Sequence, residues 1–139
     1  MHLLDTDTLT HLHAGHPQVT LRLRNCADPD IGTTIISKIE MLRGRMDFLL
    51  KAENQERLLR AQQLLNQTEI LLEQIPITGF DFKAAGVFDS LRNVSTLRKI
   101  GRADLLIASI VLANRATLVT RNLKHFNQFP NLRVVNWVD

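Results

Sequence analysis

Short apolar runs alternate along this chain with longer stretches whose apolar residues recur at helical spacing. His2-Leu3-Leu4 followed by Asp5-Thr6-Asp7-Thr8 reads as a buried strand that ends in a polar turn. Thr6 or Asp7 is placed to cap a short helix through Leu9 and Leu12, and Pro17 opens a second helix that runs to about Ala27. Asp28-Pro29-Asp30 is a turn, and Ile31 to Thr33 is a second strand. Ile35, Ile36, Ile39, Leu42 and Met46 form one helical stripe, with Gly44 as a mild breaker near its end. A long helix follows from about Ala52 to Gln74. Its Leu58, Leu65 and Leu72 recur at heptad spacing beside Ala61 and Leu64, which predicts a core-facing stripe.

Pro76 to Gly79 predicts a brief strand and turn, after which Asp81 caps a helix through Ala84, Val87, Phe88 and Leu91. Ser95 to Gly101 is a basic connection. Asp104 to Asn114 is apolar nearly all round, so that helix belongs in the core. Thr117 to Thr120 and Leu132 to Val135 are the last two strands. Strands alternating with helices predict an α/β fold, a single domain over residues 1–139 with a central, mostly parallel sheet flanked by helices. Ligands of such sheets sit beyond the carboxyl ends of the strands. Asp5 follows the first strand there, and Asn122 follows the strand ending at Thr120.

Composition narrows the class. With 45% hydrophobic and 22% charged residues the chain is neither disordered nor fibrous. Cys26 is the single cysteine, so no internal disulfide can form and a reducing cytoplasm is the expected compartment. The start of the chain does not read as a signal peptide, and the longest apolar run, Leu105 to Ala113, is too short to span a bilayer. No membrane is expected. The formal net charge of +3 is too small to imply nucleic acid by itself.

Three acids lie in apolar surroundings. Asp5 leaves an apolar strand, Glu40 flanks the Ile35/Ile39/Leu42 stripe, and Asp104 heads the most apolar helix. A buried carboxylate is costly unless a cation or good donors compensate it. Mg²⁺ and Mn²⁺ bind through carboxylate oxygens and water, which suits this set. Each acid also has a plainer explanation. Asp5 can be a helix cap, Asp104 can favour a helix dipole, and Glu40 can pair with Arg43 on the surface.

Taken in order, the motifs point further. His2-Leu3-Leu4-Asp5-Thr6-Asp7 and Thr33-Thr34-Ile35-Ile36-Ser37-Lys38-Ile39-Glu40-Met41-Leu42-Arg43-Gly44 resemble the first half of a PIN-domain nuclease. Ile100-Gly101-Arg102-Ala103-Asp104-Leu105-Leu106-Ile107-Ala108-Ser109 is similar to the third acidic motif of that family. Ala116 to Phe126 is similar to the fourth, and Val134-Val135-Asn136-Trp137 to the usual ending. The resemblance covers the whole chain and is to the VapC-type toxins of bacterial and archaeal toxin–antitoxin pairs. It implies a metal-dependent endoribonuclease in which Asp5, Glu40 and Asp104 bind Mg²⁺ or Mn²⁺ and Asn122 completes the catalytic set. It also implies products with a 5′-phosphate and a 3′-hydroxyl, RNA as substrate with tRNA one candidate, a cognate antitoxin protein and a homodimer. Two positions depart from the family pattern: Asp7, where Asn or Ser is common, and His125, where an acid is frequent.

Bases bracket the acids. Arg43 and Arg45 follow Glu40, Arg98, Lys99 and Arg102 precede Asp104, and Arg121 and Lys124 flank Asn122. Arg43, Arg102, Arg121, Lys124 and the Thr120 hydroxyl are therefore the expected substrate contacts, able to guide a phosphate backbone past the acids. The helices after Pro17 and the Leu49-Leu50 region offer apolar surface for a partner. Two other readings stand beside the nuclease. One is a catalytically weak PIN-like domain that only binds RNA or a partner. The other is a haloacid-dehalogenase-type phosphatase, since Asp5-Thr6-Asp7-Thr8 resembles its Asp-x-Asp-x-Thr motif, with Asp5 as nucleophile and Asp7 as general acid. That second reading lacks the late pair of acids, because Asp104 stands alone, and lacks a suitably placed lysine.

Overall fold

Alternation within strands of two to four residues builds the molecule. The computed structural model describes all residues from Met1 to Asp139. The strands are β1 (His2–Leu4), β2 (Ile31–Thr34), β3 (Ile77–Thr78), β4 (Thr117–Val119) and β5 (Arg133–Val135), in the sheet order β3-β2-β1-β4-β5. Every adjacent pair is parallel, so the sheet expected to be mostly parallel is wholly so. The helices are α1 (Thr6–His13), α2 (Pro17–Asn25), α3 (Ile35–Leu50), α4 (Gln55–Gln74), α5 (Phe82–Leu91), α6 (Arg102–Ala113) and the single-turn α7 (Leu123–Phe126), with a 3₁₀ turn at Ser95–Leu97.

In a strand successive side chains point to opposite faces. Leu3 and its register partner Leu118 enter one core with Ala84, Ile107, Ile110 and Val111. Leu4 and its partner Val119 enter the other with Leu9, Val19, Met41 and Leu72. Helices α5 and α6 thus cover one face, and α1 to α4 supply the other. α6 is buried nearly all round, as its composition predicts. Gly32 in β2 has a close neighbour: a Cβ there would fall on the Pro76 carbonyl, the group that accepts the Thr33 amide at 3.0 Å.

Several element predictions need correction. The α1 cap is Asp5, whose carboxylate accepts the Thr8 amide at 2.9 Å, and not Thr6 or Asp7. α2 stops at Asn25, α3 continues through Gly44 to Leu50, and α7 was not expected. The stripes on α3 and α4 also face differently. Ile39 and Met46 are each 53% exposed and Leu58 is 48% exposed, whereas Ser37 and Met41 on α3 and Ala61, Thr68 and Leu72 on α4 are buried. Spacing identifies a stripe without saying what covers it. Polar contacts help to join these helices: Arg45 Nε donates to the buried Thr68 hydroxyl at 2.9 Å, and His13 Nε2 lies 3.5 Å from that oxygen.

Candidate active site

Parallel strands deliver their successors to one edge of the sheet, and the acids collect there. Asp5 follows β1 at the centre of the sheet. Its amide donates to the Val119 carbonyl at 3.0 Å, which ties the turn after β1 to the end of β4. Its side chain is only 8% exposed. Burial pushes the Asp5 carboxyl above the usual aspartate range, against hydrogen bonds from Thr120 and Thr8, and the Asp7 charge adds to the rise. Asp5 is therefore both a helix cap and a site carboxylate.

Glu40 arrives from the second turn of α3, and Asp104 from the first turn of α6. Glu40 Oε1 accepts the Thr6 hydroxyl at 2.6 Å. Glu40 is exposed on the helix surface, as the plainer explanation has it, but it makes no ion pair with Arg43. Asp104 Oδ2 is 3.0 Å from His125 Nδ1. Partial burial raises the Asp104 carboxyl; the His125 charge opposes this and the Asp5 charge reinforces it. Asp5, Asp7, Glu40, Asp104 and Asn122 line one cleft of about 210 Å³, with Ile107 and Phe126 as its apolar wall.

This donor set is all oxygen apart from the Asn122 amide nitrogen, and two of its carboxylates are charged at a cost. It fits a hard divalent cation of the Mg²⁺ or Mn²⁺ type. No three acidic or imidazole groups stand close enough to grip one ion together as they are turned here. Glu40 is turned to Thr6 through Oε1 and Asp104 to His125 through Oδ2, which leaves Glu40 Oε2 and Asp104 Oδ1 as the oxygens without a partner.

The expected substrate contacts divide. Arg121 lines a contiguous hollow with Asp5, Asp7 and Asn122, although its guanidinium is paired with Asp139 at 3.1 and 3.3 Å. Lys124 lines the next hollow with Asn122, His125 and Gln128. Arg43 is exposed one turn beyond Glu40. Arg102 instead stacks over Phe88, 4.9 Å from the ring centroid, which engages its guanidinium away from the cleft. Thr120 is fully buried. Its hydroxyl accepts the Asn122 amide at 3.0 Å and bonds Asp5, so it supports two site residues and cannot reach substrate.

Sequence reasoning missed Thr6, which holds Glu40, and the direct partnership of His125 with Asp104. Thr6 had a signal in its place beside Asp5; His125 stood out only as a departure from the family pattern, and its partner on another helix gave no sign in the sequence. The phosphatase reading fails at Leu9, which is buried where its motif requires the threonine.

The family model described as PIN domain matches residues 2–132. Ribonuclease VapC2 of Rickettsia felis is 38% identical over 80 residues, 56% of this chain and 60% of that protein, so the match spans less than two thirds of the relative. The crystal structure of VapBC2 from Rickettsia felis, bound to a DNA fragment from their promoter, has a similar chain with a TM-score of 0.79 at 29% identity, covering 98% of both chains. VapBC-1 from nontypeable Haemophilus influenzae shares the fold with a TM-score of 0.80 at 23% identity, covering 99% of this chain and 98% of that one.

Proposed function

This chain belongs to the PIN domain family, and from that membership we propose that it is a metal-dependent endoribonuclease, the toxin of a toxin–antitoxin pair. The observation that carries the reading is the single cleft lined by Asp5, Glu40, Asp104 and Asn122, residues that come from four separate parts of the chain. The likeness to Ribonuclease VapC2 supports RNA as substrate, and structured RNA such as tRNA is the first to try.

Asp5, Asp104 and Glu40 would hold Mg²⁺ or Mn²⁺. The bound ion supplies Lewis acidity toward a phosphate and lowers the pKa of water. Glu40, steadied by Thr6, orients the attacking water for an in-line approach. Asn122 hydrogen-bonds the scissile phosphate at the cleft mouth. Arg121 and Lys124 receive the flanking phosphates, with the exposed Arg43 one helical turn beyond Glu40 as a further candidate contact. Thr120 keeps Asp5 and Asn122 in register with each other.

The VapBC complexes among similar structures support an antitoxin partner for this chain. Half-exposed apolar residues on α3 and α4 and the groove of about 410 Å³ between Lys38, Leu42, Glu69, Leu72 and Glu73 offer surface for it. A homodimer is part of the same reading, and light scattering on the purified chain tests it. No helix is long and apolar enough to cross a membrane; a cytoplasmic site of action agrees with the free Cys26.

The decisive assay is cleavage of structured RNA with Mg²⁺ or Mn²⁺, comparing the natural chain with Asp104→Asn. Loss of one oriented charge at such a site costs at least about 100-fold in rate, and chelation should abolish cutting. Cleavage that persists in Asp104→Asn would overturn the assignment. The tie between Asp104 and His125 favours a second reading, a weak enzyme that mainly binds RNA. Tight RNA binding with no ion-dependent cutting would select it.

A further inference from the structure

We propose that His125 is a positioning residue for Asp104: its Nδ1–H pins one carboxylate oxygen and so presents the other to the cation site. The inference rests on the metal-dependent reading above and adds a residue that reading does not use. His125 sits on α7, and its neighbour Phe126 is 2% exposed and stacked on Phe129 with centroids 6.0 Å apart. That anchor fixes the turn, and with it the imidazole, against the start of α6. From there Nδ1 lies 3.0 Å from Asp104 Oδ2 and 3.1 Å from the Asn122 side-chain nitrogen.

A ring nitrogen has a single in-plane position, occupied by a proton or by a lone pair. It can donate to Asp104 or accept from Asn122, and it cannot do both. The carboxylate is the stronger acceptor, because a bond to a charged oxygen is worth about twice a neutral one. Nδ1 therefore carries the proton. The 3.1 Å approach of the Asn122 side-chain nitrogen is then a contact and not a hydrogen bond to the ring, which leaves the Asn122 NH₂ group free to donate elsewhere. Hydrogen-bonded partners of this kind fix the orientation of metal-binding carboxylates. With Oδ2 occupied by His125, Oδ1 is the oxygen left for an ion shared with Asp5.

Two measurements test this. In the metal-free protein at a pH where the imidazole is neutral, ¹⁵N-resolved spectra of His125 should display the Nδ1–H tautomer; the Nε2–H tautomer would overturn the proposal without any variant. Calorimetric titration with Mn²⁺ alone should give affinity weakened about 10–100-fold in His125→Ala, the range for lost carboxylate partners. His125→Asn, whose amide nitrogen can donate to the same oxygen, should recover most of that loss. Unchanged affinity in His125→Ala, or no recovery in His125→Asn, would sink the role of His125 alone. Failure of the natural chain to take up Mn²⁺ at all would instead sink the nuclease reading, and this one with it.

Discussion

At the scale of single residues, the acids of the cleft are a burden to the metal-free molecule. The carboxyls of Asp5 and Asp104 lie above the ordinary value of 3.8 chiefly through burial. A carboxyl raised by folding contributes stability that is complete below its unfolded value and disappears as pH rises through the folded value. At neutral pH both charges therefore oppose folding. Asp104→Asn should raise the melting temperature of the metal-free protein at neutral pH by about 2–5 °C, with the gain vanishing in acid below the ordinary aspartate value. The same variant should lose stabilisation by Mg²⁺ or Mn²⁺, read by thermal melts with and without the ion. Thr6→Val tests a gentler contact. Removing its hydroxyl from Glu40 should lower kcat about tenfold, the scale of a hydrogen bond to a charged group, while RNA affinity holds. An equal fall in affinity would mean that Thr6 acts on binding.

Elements were legible where pattern and burial agree, and misread where a stripe faces something other than the core. The α6 run and the strands around Leu3-Leu4 and Leu118-Val119 fold as their composition dictates. The Ile39/Met46 and Leu58 positions keep helical spacing yet stand half exposed, because Ser37, Ala61 and Thr68 take the buried side. Small residues permit close helix packing and carry almost no hydropathic signal. α7 escaped notice for a different reason, since a single turn is too short to show a period. At the sheet edge, Gly32→Ala tests how closely β2 meets the β3 segment. The new methyl would strike the Pro76 carbonyl, so urea unfolding should report a loss of about 1–3 kcal/mol. A neutral result would mean that β3 can move aside freely.

For the whole molecule, the sequence displayed the parts of the site without their arrangement. Asp5, Glu40, Asp104 and Asn122 were recognisable by order and company, and the cleft does gather them. What no one-dimensional reading could supply is the hydrogen bonding that orients them, since Thr6 to Glu40 spans 34 positions and His125 meets Asp104 across two helices. The bases were counted correctly and assigned unevenly: Arg102 lies over Phe88, whereas Arg121 and Lys124 border the cleft. Phosphate contacts by lysine and arginine set the salt dependence of binding. Lys124→Ala should reduce the slope of log affinity against log salt by about one, measured with catalytically dead Asp104→Asn protein and structured RNA. Arg102→Ala should leave that slope nearly unchanged and lower thermal stability instead.

The position of β1 between β2 and β4 has a consequence for how the protein is made. Asp5 is translated well before Val119 and Thr120, yet its amide is held by Val119 and its carboxylate by Thr120. A growing polypeptide therefore carries its acids apart, and harmlessly so, until the segment near residue 120 has left the ribosome. On the nuclease reading proposed above, a product that stops short of Val119 and Thr120 lacks the groups that hold Asp5 and should not cleave RNA.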